Sequence, residues 1–169
     1  MKPLFQLALF ALANVLPPST VLAGEVSTPA LPPGTLTIVT TTAGGDTRSQ
    51  VFDGTALRAL PQHTFTTRTP WHDGPMRFTG PLLRDVLAAT KAHGDTIHAT
   101  ALNDYRIEIP FRDAHDHDPI IAHTINDVAL GVRTLGPFFL IYPFDEKPAL
   151  QSETYYHRSI WQLETIEVR

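Results

Sequence analysis

Hydrophobic and polar positions change period several times along this chain, and each change marks an element. Leu36-Thr37-Ile38-Val39 alternates as a strand with one buried face does, and Gly44-Gly45-Asp46 closes it with a turn. Val51-Phe52-Asp53-Gly54 predicts a strand running into a turn. Thr55 to Leu60 then predicts a short helical turn, capped by Thr55 or Asp53 and ended by Pro61. His63 to Thr69 is threonine-rich and alternating, hence extended. From Pro81 to Lys91 the period lengthens, because Leu82, Leu83, Val86 and Leu87 fall at helical spacing behind a proline. Thr96 to Leu102 and Tyr105 to Ile109 predict two strands around the polar corner Asn103-Asp104, and Asp113 to Asp118 a charged loop. Pro119 to Thr124 and Phe138 to Tyr142 are strongly β-prone, Tyr155 to Trp161 predicts a short helix or turn, and Leu163 to Val168 a last strand. Many short strands with two or three short helices define a mixed, mainly β, α+β domain, and local pattern leaves its topology open.

The N-terminus obeys a different rule. Lys2 precedes a mostly apolar run from Leu4 to Leu16, Pro17-Pro18 breaks it, and Val21-Leu22-Ala23 has the small residues that signal peptidase accepts. Residues 1–23 are therefore expected to be a signal peptide cleaved after Ala23, which sends the mature chain to the periplasm. A membrane anchor would need ~20 apolar residues, and Gln6 and Asn14 interrupt this run. Residues 24–34, rich in proline, threonine and serine, predict an extended arm, and 35–169 a single domain. There is no cysteine, so packing and hydrogen bonds must hold an exported fold together without disulfides. A formal net charge of −4 and the lack of a basic stripe exclude nucleic acid as a partner.

The most informative stretch is Thr67-Arg68-Thr69-Pro70-Trp71 followed by Arg77-Phe78-Thr79-Gly80-Pro81-Leu82-Leu83-Arg84-Asp85-Val86-Leu87. It reads as a polar strand, a turn, and a Gly-Pro step into an amphipathic helix. The segment resembles the centre of the molybdopterin-binding domain of sulfite-oxidase-type oxidoreductases. Further landmarks follow in the same order: Leu57-Arg58-Ala59-Leu60-Pro61, Ala101-Leu102-Asn103-Asp104-Tyr105 with Ile109-Pro110, Gly136-Pro137 before Phe139-Leu140-Ile141-Tyr142-Pro143, and Trp161 to Val168. The resemblance implies the sulfite-oxidase-type fold for residues 35–169 and a pterin as ligand. In that family a cysteine usually follows the arginine and supplies the thiolate that holds molybdenum. Thr69 stands in that place here, and a threonine hydroxyl is neither soft nor easily ionised. The expected cofactor is therefore a pterin, reduced or molybdopterin-like, without molybdenum.

A pterin is flat, with a donor and acceptor edge, so its site needs a ring to stack on, an acceptor for its N–H groups and donors for its oxo oxygen. Trp71 or Tyr105 would stack, Asp104 would accept, and Arg68 and Arg133 would donate. His72 would be a hydrogen-bonding wall, and Asn103 belongs to the same corner as Asp104 and Tyr105. Gly136-Pro137 would let the backbone approach the ligand, since glycine has no side chain in the way. Arg158 and Ser159 match a basic-aromatic stretch that closes the pocket in the enzymes, Arg158 touching a polar tail of the ligand while Trp161 joins the core. Leu135 stands where relatives tend to carry a charge. Stand-alone periplasmic proteins of this kind bind a reduced pterin and act on a membrane enzyme that makes or degrades cyclic di-GMP. The implied partner is thus the periplasmic domain of a diguanylate cyclase, a phosphodiesterase or a sensor kinase. The competing expectation is a molybdopterin-dependent oxidoreductase acting on a small oxyanion or sulfoxide, and a third is a structural domain with an empty pocket.

Other chemistries have weaker support. His115-Asp116-His117-Asp118 is the densest cluster of metal-ligating types, but a firm zinc site wants four ligands with supporting partners, so a solvated loop is expected. Ser49, Ser152 and Ser159 lack the glycine-flanked context of a nucleophile elbow. Gly44-Gly45-Asp46 is too short for a phosphate loop.

Overall fold

The computed structural model describes residues 34–42 and 44–169, so the expected leader over 1–23 and all of the expected arm except Gly34 lie outside the described residues. The chain runs β1 (Thr35–Thr41), β2 (Thr47–Asp53), α1 (Gly54–Ala59), β3 (Gln62–Thr67), β4 (Met76–Pro81), α2 (Leu83–Ala89), β5 (Thr96–Ala101), β6 (Arg106–Pro110), α3 (Asp113–Asp116), β7 (Ile120–Ala122), β8 (Thr124–Ile125), β9 (Val128–Ala129), β10 (Phe139–Ile141), a 3-10 turn (Pro148–Leu150), α4 (Glu153–Arg158) and β11 (Leu163–Val168). Among the described residues, three sheets and four short α-helices make this a mainly β member of the α+β class. None of the described helices is long and apolar enough to cross a membrane.

The largest sheet has the order β2-β1-β11-β5-β6, with β1 and β11 parallel and every other pair antiparallel. Its inner face carries the alternate apolar residues seen in the sequence: Leu36 and Ile38, Ile97, Ala99 and Ala101, and Ile109. In β11, Leu163, Ile166 and Val168 all point inward although the first two are an odd number of residues apart. A register shift between Leu163 and Thr165 makes this possible, since a bulge inserts one unpaired residue and rephases the strand. Leu83, Val86 and Leu87 of α2 close this first core.

The second core explains the uninterrupted apolar runs. β7 and β10 form a two-stranded ribbon buried on both faces. Ile121, Phe138 and Leu140 join the sheet core, whereas Ile120, Ala122, Phe139 and Ile141 join an aromatic cluster with Phe78, Tyr142 and Phe144. Strands buried on both faces lose the polar alternation that a one-sided strand shows. Beside this ribbon lies the sheet β3-β4-β8-β9.

Two helical expectations are corrected. The helix expected over Pro81 to Lys91 spans only Leu83–Ala89, because Gly80 and Pro81 belong to β4 and Leu82 makes a bridge to Ile120. The charged loop expected over Asp113 to Asp118 contains α3, with Asp113 and Ala114 buried. Burial of Asp113 is compensated by a hydrogen bond from the Tyr142 hydroxyl at 3.0 Å and an ion pair with Arg158 at 2.8 Å. Burial first, then the neighbouring Asp113 charge, raises the Tyr142 pKa above the usual tyrosine range, so its hydroxyl is a permanent donor here. In α1, of the two expected caps it is Asp53 that serves, its Oδ1 accepting from the Ala56 N–H at 2.7 Å, and Thr55 lies inside the helix.

One buried histidine makes stability depend on pH. Gln62 donates its side-chain amide to the Leu57 and Leu60 carbonyls, both at 2.8 Å, so its Oε1 is the acceptor and His123 Nε2 must donate to it at 2.7 Å. That leaves Nδ1 buried with no partner among the described residues. Burial, followed by the positive charge of Arg58, lowers the His123 pKa from its ordinary 6.5. The unfolded chain therefore takes up this proton more readily, and His123's contribution is complete above pH 6.5 and lost as pH falls below it. His123→Gln is expected to flatten the pH dependence of the urea midpoint between about pH 5 and 7. Parallel profiles for the variant and the wild type would show that another group is responsible.

Candidate functional site

Three connections converge at one end of the large sheet: residues 68–75 after β3, the β5–β6 corner, and the segment from α4 into β11. Between them lies a cleft of about 360 Å³. Four aromatic residues line it, Trp71, Tyr105, Tyr156 and Trp161, together with Asn103, His157, Ser159, Ala101 and Ile160.

Each wall is held by local chemistry. The connection after β3 is clamped at its start: Thr67 Oγ1 accepts from the Asp145 N–H at 2.9 Å, and the Asp145 carboxylate accepts from the Arg68 N–H at 2.9 Å. Thr69, only 8% exposed, accepts the Trp71 N–H on its hydroxyl at 3.3 Å, and the hydroxyl lies 2.7 Å from His72 Nδ1. With the oxygen accepting from Trp71, its proton is free to point at Nδ1. The Trp71 ring so placed meets Phe139 at 5.9 Å, Phe144 at 6.3 Å, and Trp161 edge-on at 5.6 Å. Edge-to-face packing at these distances stabilises beyond simple burial and fixes ring orientation.

The second wall is an Asx turn. Asn103 Oδ1 accepts from the Tyr105 N–H at 3.2 Å, and Asp104 takes a left-handed conformation with φ 63°, which short polar side chains tolerate. The third wall is the end of α4, where Tyr156 packs on Phe144 at 4.9 Å and edge-on to Trp71 at 6.2 Å. The Ser159 hydroxyl donates to the Tyr155 carbonyl at 3.1 Å. Hydrogen-bonding capacity remains at the Asn103 amide, the Tyr105 and Tyr156 hydroxyls and the His157 ring, and among the described residues the lining includes neither lysine nor arginine. Such a cleft can sandwich a flat heterocycle and hydrogen-bond its edge, with no fixed cation for a phosphate.

Compared with models of known protein families and with curated proteins, the chain matches none.

Of the residues expected to bind a pterin, four line the cleft: Trp71, Asn103, Tyr105 and Ser159. Thr69 and His72 stand behind them as supports of Trp71. The others lie elsewhere. Arg68 is exposed and pairs with Asp145 at 3.7 Å. Asp104 turns away from its neighbours Asn103 and Tyr105 and lines a polar groove on the solvent face of the large sheet, with His98, Arg106 and Glu108. That groove is the larger, at about 600 Å³, but polar groups within it pair with one another, His98 Nδ1 with Glu108 at 3.6 Å and Arg169 with Glu167 at 2.9 Å. Arg133 is exposed outside the cleft lining. Gly136 is buried where a Cβ would stand 2.5 Å from the Leu130 carbonyl, so its role is close backbone packing, and Pro137 follows it half-buried. Arg158 is turned away from the cleft onto Asp113.

Tyr156 and His157 are wall residues not among those expected, and Trp161, expected in the core, stands at the wall as well. Trp161 is 36% exposed at the cleft. The available signal was the run Tyr155-Tyr156-His157-Arg158, which puts polar-tipped rings on successive positions of a helix and so on more than one face. The His115 to Asp118 cluster disperses: His117 Nε2 meets the Tyr155 hydroxyl at 2.9 Å and Asp118 pairs with Arg84.

Proposed function

We propose that this chain is a pterin-binding protein that holds the ring in the aromatic cleft without molybdenum and acts as a ligand-dependent regulator of a membrane enzyme making or degrading cyclic di-GMP. The observation that carries the binding half is the cleft itself. Its rings offer stacking faces, its amide, hydroxyls and imidazole match a heterocycle edge, and about 360 Å³ falls within the range of small-molecule sites, roughly 300 to 1,000 Å³. The regulatory half, its periplasmic location and its membrane partner rest on the resemblance to stand-alone proteins of the sulfite-oxidase fold.

The residues present do not fit a molybdenum centre of the family's kind. The chain has no cysteine, and the Thr69 oxygen is committed to Trp71 and His72. Lack of a cationic lining residue also favours a pterin without the phosphate of molybdopterin.

Protein purified from its natural source is expected to release on denaturation a pterin that fluoresces once oxidised, with molybdenum far below stoichiometric. The purified protein should also bind added neopterin. Stoichiometric molybdenum together with turnover of a small oxyanion or sulfoxide would replace this reading by the oxidoreductase. No pterin in the extract and no neopterin binding would end it.

A further inference from the structure

α4 supplies one wall of the cleft, yet it has only six residues, none of them buried, and no side-chain N-cap. A helix this short does not persist on its own propensity, so its position is set by what it touches. Its two sides touch different things. Tyr156, with His157 and Ser159, faces the cleft. Tyr155 and Arg158, one turn apart, face α3 and the residue after it.

The α3 side is built as a buried polar cluster. Asp113 is 2% exposed and accepts from Arg158 at 2.8 Å and from Tyr142 at 3.0 Å on the same oxygen. The Arg158 guanidinium lies 5.3 Å from the centre of the Tyr155 ring. His117 stands nearly perpendicular to that ring, 5.0 Å away at 81°, and its Nε2 meets the Tyr155 hydroxyl at 2.9 Å. None of these groups lines the cleft, so ligand contact does not account for them.

We propose that the Asp113–Arg158 ion pair and the Tyr155–His117 hydrogen bond are a latch that positions α4, making Asp113 a positioning residue for the flat ligand of the cleft. With respect to the ligand's identity this rests on the pterin reading above; the latch itself does not. Release of the latch leaves α4 held by ring packing, Tyr156 on Phe144 and Trp71 and Tyr155 on Tyr142, with no charge or hydrogen bond to α3, and the Tyr156 wall then shifts against Trp71.

The chain's two tryptophans, Trp71 and Trp161, are both cleft walls, so indole emission reports on the cleft alone. Arg158→Met removes the ion pair of the latch and Tyr155→Phe its hydrogen bond. Tyr142→Phe removes a bond to the same Asp113 from the core side and leaves α4 attached. Acrylamide quenching of the indoles is expected to increase in the first two variants and to match wild type in the third. Neopterin affinity is expected to fall about tenfold or more in Arg158→Met, the scale on which loss of a supporting partner acts at organised sites. Unchanged quenching in the latch variants, or an equal change in Tyr142→Phe, overturns the proposal. If Arg158→Met fails to fold because it leaves Asp113 buried and half-paired, Tyr155→Phe alone decides. Wild-type protein that does not bind neopterin refutes the pterin reading, and the quenching comparison still decides the latch.

Discussion

Trp71→Ala is expected to raise the neopterin dissociation constant about 5- to 150-fold, the effect of losing one aromatic face against a stacked heterocycle. Trp71 is the one wall residue whose ring touches two others of the cleft, Tyr156 and Trp161, so its loss removes both a face and the spacer between them. The same ring packs on Phe139 and Phe144 beneath, and truncation also costs stability. Trp71→Phe separates the two effects. It keeps an aromatic face and part of the packing, and is expected to bind with intermediate affinity. Fluorescence titration of both variants, after their folding has been checked by far-UV circular dichroism, gives the answer. A folded Trp71→Ala that binds neopterin as tightly as wild type would remove Trp71 from the site and, with it, the aromatic cleft as the place of binding.

Gly80→Ala should lower folding stability by about 3 kcal/mol or more, above the usual range for an added methyl in a packed core. A Cβ at position 80 would stand 2.0 Å from the Ile121 carbonyl oxygen and 2.8 Å from the Ala122 Cα. These are backbone atoms of β7, the strand whose two faces bridge both cores, so no flexible side chain can move aside. Either β4 or β7 must shift, and the contacts of Phe78, Leu82 and Ile120 with it. Urea denaturation measures the loss. A variant within about 0.5 kcal/mol of wild type, the range of an ordinary surface change, would show that the two strands can separate freely.

The resemblance treated Gly80 as the step into a helix, and the structure makes it a point of strand contact. Both uses need a small residue, which is why glycine alone did not discriminate between them. The same limit applies to Asp113. In sequence it sits among His115, Asp116, His117 and Asp118 and reads as solvated, because its partners Tyr142 and Arg158 are 29 and 45 residues away. The β8–β9 hairpin was legible in principle. Asn126-Asp127 between Ile125 and Val128 is a two-residue turn signal, and both residues take positive φ, 48° and 63°. Arg158 reversed its expected role for a related reason: two positions on from the cleft-facing Tyr156, about 200° around the helix, it points to the other side, and a buried carboxylate waits there.

Sequence by itself determined most strands of the large sheet, the β-prone runs around Ile120–Ala122 and Phe139–Ile141, a helical turn capped by Asp53 or Thr55, and the polar corner at Asn103-Asp104 beside Tyr105. Those features are written in alternation, capping and turn chemistry, which act between residues a few positions apart. Tertiary structure alone decided which side chains share the cleft. Trp71, Tyr105 and Trp161 are far apart along the chain and meet only because β11 returns to lie between β1 and β5, and because Asp113 draws α4 toward α3. Long-range pairing of that kind depends on the simultaneous burial of many residues, and no local period carries it.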